Sequence, residues 1–173
     1  TVDKTLTITK AASTISFTST GGTYSGSAIA AVAKGTGTIT YAYYTNNTCT
    51  TSASSVIDAA TYYVKATSAG DSNHTGATTA CTAHKINPKS IAVTWGSTTT
   101  FTYNGSAQAP TITTPVSGVT GESISLTRTT QTNANQESNP TYTSTASIAS
   151  VTGGRATAAN YKLTGNTKSF VIN

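Results

Sequence analysis

A chain of 173 residues with no Met and a single Trp carries 10 Lys and Arg against 5 Asp and Glu, a formal net charge of +5 at pH 7. Charged residues make up only 9% of it, against roughly 25% in ordinary soluble domains, so hydroxyls rather than charges must keep the surface wet. The basic excess does not point to nucleic acid, because the cations stand singly from Lys4 to Lys168 with no run, stripe or RNA-binding signature, and no apolar run approaches the length that would insert into a membrane.

In chain order, Thr5 to Lys10 reads as a strand at a junction, and Ile15 to Phe17 as the first strand proper. Thr20-Gly21-Gly22 reads as a turn into Tyr24, and Ser27 to Ala33 as a small-residue strand ending at Lys34-Gly35-Thr36-Gly37. Ile39, Tyr41 and Tyr43 alternate with Thr40 and Ala42, the period of a half-buried strand. The polar loop Asn46-Asn47-Thr48 then carries Cys49. Asp58-Ala59-Ala60-Thr61-Tyr62 is the approach expected of a tyrosine corner, with a Tyr packed plainly in the core as the equal alternative. Tyr62, Val64 and Ala66 alternate with Tyr63 and Lys65. Asn87-Pro88-Lys89 is a short hinge, because Pro cannot donate to a ladder. Ile91, Val93 and Trp95, then Ile124 and Leu126, repeat the strand period, and Asn104-Gly105 marks a turn. Gly118 to Gly121 and residues 133–140 are the expected exposed loops. No helical period competes, so the chain is expected to be all-β.

Two stretches are near copies: Thr23-Tyr24-Ser25-Gly26-Ser27-Ala28 and Thr102-Tyr103-Asn104-Gly105-Ser106-Ala107, about 79 residues apart. That spacing is too long for a solenoid and close to a small sandwich domain. Further landmarks recur in the same order. Thr61-Tyr62 answers to Thr141-Tyr142, Asn73-His74 to Asn160-Tyr161, and His84-Lys85-Ile86-Asn87 to Phe170-Val171-Ile172-Asn173. The expected organisation is therefore a junction or end strand of a preceding repeat (1–9), a first repeat (10–87) and a second (88–173). Both repeats would be antiparallel Ig-like β-sandwiches set end to end, with β-grasp-like repeats as the alternative. The short hinge predicts an elongated pair, to which neighbouring repeats of a longer chain would add.

Cys49 and Cys81 are the only cysteines. No Cys-x-x-Cys or His-x-x-x-His spacing supports a redox pair or a metal site, so a structural disulfide in an oxidising compartment is favoured over two buried thiols. Asp3, Asp58, Asp71, Glu122 and Glu137 form neither a catalytic carboxylate pair nor a calcium loop, and no Gly-x-Ser-x-Gly elbow occurs. No enzyme activity, cofactor or metal is expected. Tyr43, Tyr44 and Tyr63 are the candidates for an aromatic ligand surface. Thr-x-Thr triplets at Thr5, Thr38 and Thr111 lack the constant spacing of a flat ice-binding array.

The Tyr-x-Gly openings (Tyr24, Gly26; Tyr103, Gly105), the small-Thr-Tyr strands (Tyr62, Tyr142), the Gly70-Asp71-Ser72-Asn73-His74 segment and the closing Ile resemble the MBG-type (YGX-type) repeats of bacterial surface proteins and adhesins. The resemblance spans the chain as two units. It departs where Ala60 and Pro140 stand for the usual Gly before Thr-Tyr, and where His74 stands for Tyr. What it implies is a non-catalytic stalk or spacer of a secreted or cell-surface adhesin, with a glycan- or host-receptor-binding module as the alternative. Lys–Asn or Thr–Gln crosslinks, known in such adhesins, are a further implication.

Overall fold

The structure is a computed structural model that describes residues 4–138 and 140–173. Thr1 to Asp3 of the predicted end segment 1–9, and Asn139 of the predicted loop 133–140, lie outside the described residues. Fourteen strands and one 3-10 turn make the described chain all-β. It divides into two compact units, Thr1–Thr23 with Ser27–Asn87, and Tyr24–Gly26 with Pro88–Asn173.

In the first unit, β1 (Ser16–Ser19) pairs with β3 (Val32–Lys34) as an antiparallel ribbon. The larger sheet runs in the order β2 (Gly21–Thr23), β7 (Thr82–Asn87), β5 (Thr61–Ser68), β4 (Ile39–Tyr44), with β6 (Ala77–Thr78) on β5. Strict alternation sets its faces: Tyr43 stands opposite Val64 and Tyr41 opposite Ala66, and Val64, Ala66 and Ile86 are buried. The second layer is tied to this face by side chains. The Tyr43 hydroxyl accepts the Ala31 N–H at 2.8 Å, and the Tyr41 hydroxyl accepts the Ala33 N–H at 2.9 Å. The ladder groups of the small-residue segment thus find partners across the core.

In the second unit the larger sheet runs β10 (Val116–Ser117), β11 (Ser123–Arg128), β12 (Tyr142–Thr152), β14 (Thr167–Ile172), β9 (Thr100–Phe101). A separate parallel pair joins β8 (Lys89–Ala92) to β13 (Tyr161–Thr164). Ala109, Phe170 and Ile172 form a core against which Phe101 and Tyr142 pack. Phe101 meets Phe170 edge to face, with centroids 5.9 Å apart, a favoured aromatic geometry.

The orders β2-β7-β5-β4 and β9-β14-β12-β11 are the same path. Their registers agree as well: Tyr62 faces His84 as Tyr142 faces Phe170, and Gly22 faces Ile86 as Phe101 faces Ile172. Thr23 faces Asn87, and the Tyr103 N–H donates to the Asn173 carbonyl at 2.7 Å, so Tyr24 and Tyr103 each follow the same edge strand.

Three local expectations are corrected. Thr5 to Lys10 is not a strand; among the described residues its only ladder feature is a bridge one residue on, Ala11 to His74. Of Ser27 to Ala33, only the end from Val32 is strand. Gly21 and Gly22 are not a turn but part of β2, which runs parallel to β7. Gly21 is required there because its φ is +109° and a Cβ would fall 2.1 Å from the Lys85 carbonyl oxygen. Parallel pairing also joins β9 to β14 and β8 to β13, so the sheets are mixed rather than purely antiparallel.

Candidate functional site

Among the described residues the most buried polar constellation lies in the second unit. Glu122 sits at the mouth of β11, after the Gly118 to Gly121 turn, and is buried. Its Oε1 accepts the Tyr24 hydroxyl at 2.7 Å and the Arg155 N–H at 2.7 Å, while its Oε2 accepts the Tyr161 hydroxyl at 2.5 Å. Buried acceptors must be satisfied, and charge-assisted bonds of this kind are the strong ones. The Tyr161 hydroxyl in turn accepts the Val119 N–H at 2.8 Å. Tyr24 and Tyr161 meet edge to face, centroids 5.5 Å apart.

The electrostatics follow from burial. Desolvation first, then the hydrogen bond to Glu122, holds the Tyr24 phenol far above the usual tyrosine range, while the buried Asn160 side chain bonds to Tyr24 and works against the rise. The same two causes push Tyr161 up to about 12. Both phenols are therefore fixed as donors at neutral pH. Phenols held protonated this firmly act as hydrogen-bond donors to the carboxylate near neutral pH, so the three side chains tie their segments together.

Gly26 closes the same segment at φ +81°, and a Cβ there would touch the Val119 side chain at 3.0 Å. Tyr24 is 2% exposed, whereas Tyr103, its register counterpart, is 54% exposed, and Gly105 at φ +74° has only open space where a Cβ would stand. Nearly identical hexapeptides thus have opposite surroundings.

Tyr62 and Tyr142 are half-buried on equivalent strands. The Tyr142 hydroxyl donates to the Ala134 carbonyl at 3.2 Å, a bond back to upstream backbone of the tyrosine-corner kind. Tyr142 also packs on Phe170, centroids 5.8 Å apart. In the first unit the place of Phe170 is taken by His84, fully buried, with Nε2 2.8 Å from the Ile29 carbonyl and its ring edge-on to Tyr43. A carbonyl can only accept, so Nε2 carries a proton. Burial lowers the His84 pKa, against the raising effect of the Ile29 bond.

The three tyrosines expected to form a ligand surface do not act together. Tyr43 is on the core face, bound to Ala31 and set edge-on against His84. Tyr44 and Tyr63 are register partners across β4 and β5 on the opposite side, both half-buried. Cys49 and Cys81 are bonded, with Cα atoms 5.9 Å apart, and this clamp with the all-β fold fits a compartment that is not reducing. The Cys49 loop is organised by Asn46, whose Oδ1 accepts the N–H groups of Thr50 and Thr51.

Sequence reasoning missed Glu122 and Asn160. The signal was there: Glu122 is an acid set directly between a Gly-bounded turn and an alternating strand. Among the described residues, no helix is long and apolar enough to cross a membrane. No family model, curated protein or solved structure matches the chain.

Proposed function

We propose that this chain is a non-catalytic stalk or spacer segment of a bacterial secreted or cell-surface adhesin or fibre protein, of the MBG-type repeat kind. One observation carries the reading: two sequence segments follow the same strand path in the same register. Repeated folds with short connections are a means of setting distance, and a buried lock such as Tyr24–Glu122–Tyr161 adds rigidity without chemistry. The partners are then neighbouring repeats of a longer chain, and the place is outside the cell. Small-angle scattering tests it: a spacer gives an elongated particle, and a compact profile would overturn the reading.

The ligand-binding alternative draws on Tyr44 and Tyr63, two half-buried tyrosines at paired positions on the outer side of β4 and β5, since aromatic residues there would suit a sugar face. A glycan array on the wild type and on Tyr63→Ala tests it. Binding lost with Tyr63 would move the weight to an adhesin module, and no binding to any glycan would remove the glycan form of the alternative and leave only a host receptor as its ligand.

A further inference from the structure

The Tyr24 seat has a counterpart in the first unit. In the second unit Tyr24 lies beside the parallel pairing of Lys89 with Tyr161 and bonds to Asn160. In the first unit the same parallel pairing is made by Ala11 with His74, so Asn73 holds the place of Asn160 and Ala11 that of Lys89. At that place there is a cavity of about 400 Å³, lined by Ile8, Thr9, Lys10, Ala11, Ser72 and Asn73. One of its lining residues, Ile8, is among the most exposed large apolar side chains at 88%, and Leu6, two residues before it, is 85% exposed.

Elsewhere on the molecule the Tyr103-Asn104-Gly105 turn projects an exposed phenol, with Asn104 Oδ1 holding the Ser106 N–H and so presetting the turn. We propose that this turn of one molecule docks in the Ile8–Asn73 cavity of a second copy of the chain. The ring would cover Ile8 and Ala11, and the phenol would meet the Asn73 side chain as Tyr24 meets Asn160. Among the described residues Thr5 to Lys10 pairs with no strand, its side-chain tie being Lys10 Nζ to the Asp71 carbonyl at 2.9 Å, so the segment has room to adjust to the guest. Because plug and cavity are different surfaces, the contact is heterologous and can continue from molecule to molecule. The contact is small, so its affinity is weak. The inference goes beyond the stalk reading and does not depend on it, since a stalk need not self-associate.

Sedimentation equilibrium of the intact chain at rising concentration, up to about 1 mM, is the test. The average mass is expected to rise above that of the monomer, and past the dimer at the highest concentrations. Tyr103→Ala and Ala11→Trp should each return it to the monomer, Tyr103→Phe should weaken association several-fold by removing the phenol, and Val32→Asp, at another exposed apolar residue, should leave it unchanged. Residues 11 and 103 are exposed, so circular dichroism melts should match the wild type. A monomer at every concentration, or association that survives Tyr103→Ala or Ala11→Trp or is lost with Val32→Asp, would overturn the proposal.

Discussion

Tyr161 donates its hydroxyl to Glu122 at 2.5 Å and accepts the Val119 N–H at 2.8 Å through the same oxygen. One phenol therefore joins the start of β13 to both the turn before β11 and the carboxylate at its mouth. Hydrogen bonds to a charged partner contribute about 1.5–3 kcal/mol. Tyr161→Phe is expected to destabilise the second unit by about that amount, since it removes one donor from the Glu122 carboxylate and takes the acceptor from the Val119 N–H. Glu122→Ala should cost more, about 1–3 kcal/mol for each buried donor that loses its acceptor, because both phenols and the Arg155 N–H donate to this carboxylate. Urea melts measure both, and losses below about 0.5 kcal/mol would show that the carboxylate is no lock.

His84 gives a pH dependence whose sign follows from its burial. Its folded pKa lies below the unfolded value of 6.5, so the folded state holds it neutral where the unfolded chain binds a proton. Stability is thus complete above the unfolded value and is lost as pH falls from there through the folded one. The slope reaches at most about 1.4 kcal/mol per pH unit for one proton. Calorimetric melts between about pH 7.5 and 5 should show the fall, and His84→Phe, which copies Phe170, should flatten it. An unchanged slope in that variant would assign the titration to another group.

Much of this fold is written in local pattern. Tyr41 and Tyr43 on one side of β4, and Val64 and Ala66 on the same side of β5, follow from period-two alternation, and the match of His84 with Phe170 follows from aligning the two halves. What was not legible depends on contacts distant in sequence. Gly21-Gly22 has the composition of a turn, and only the Lys85 backbone pressed against Gly21 makes it an edge strand. Thr5 to Lys10 has the alternation of a strand but no described ladder partner. Tyr24 and Tyr103 sit in nearly the same hexapeptide, so their opposite burial is set by Glu122, Asn160 and Tyr161 around one of them and cannot be read from either copy.

The Cys49–Cys81 bond closes a loop with a sequence separation of 32. On the chain-entropy account, such a loop contributes about 3–4 kcal/mol by restricting the unfolded chain. The first unit is a small domain, and for it that is a large share of total stability. Reduction, or the double variant Cys49→Ser with Cys81→Ser, should lower the urea midpoint of the first unit by a corresponding amount while the Tyr161 hydrogen-bond signals of the second unit stay in place. A midpoint unchanged by reduction would show that packing alone holds the Cys49 loop to the chain entering β7.

Gly21 offers the sharpest test of the parallel edge. At φ +109° the backbone lies where side-chain-bearing residues are rarely found, and an added Cβ would lie 2.1 Å from the Lys85 oxygen and 2.9 Å from its carbonyl carbon. Backbone cannot swing aside as a flexible side chain does, so Gly21→Ala must break the β2–β7 pairing or twist β7, whose Ile86 and His84 are buried. The cost should exceed the roughly 1–2 kcal/mol of an L-residue at positive φ alone. Gly105→Ala is the control, because its φ of +74° is also positive but no atom lies within 4 Å of the added carbon. It should cost only about that 1–2 kcal/mol. Equal losses in the two variants, measured by denaturant melts, would show that β2 does not run against Lys85, whereas a larger loss at Gly21 with faster amide exchange at Ile86 would locate the damage in the parallel pair.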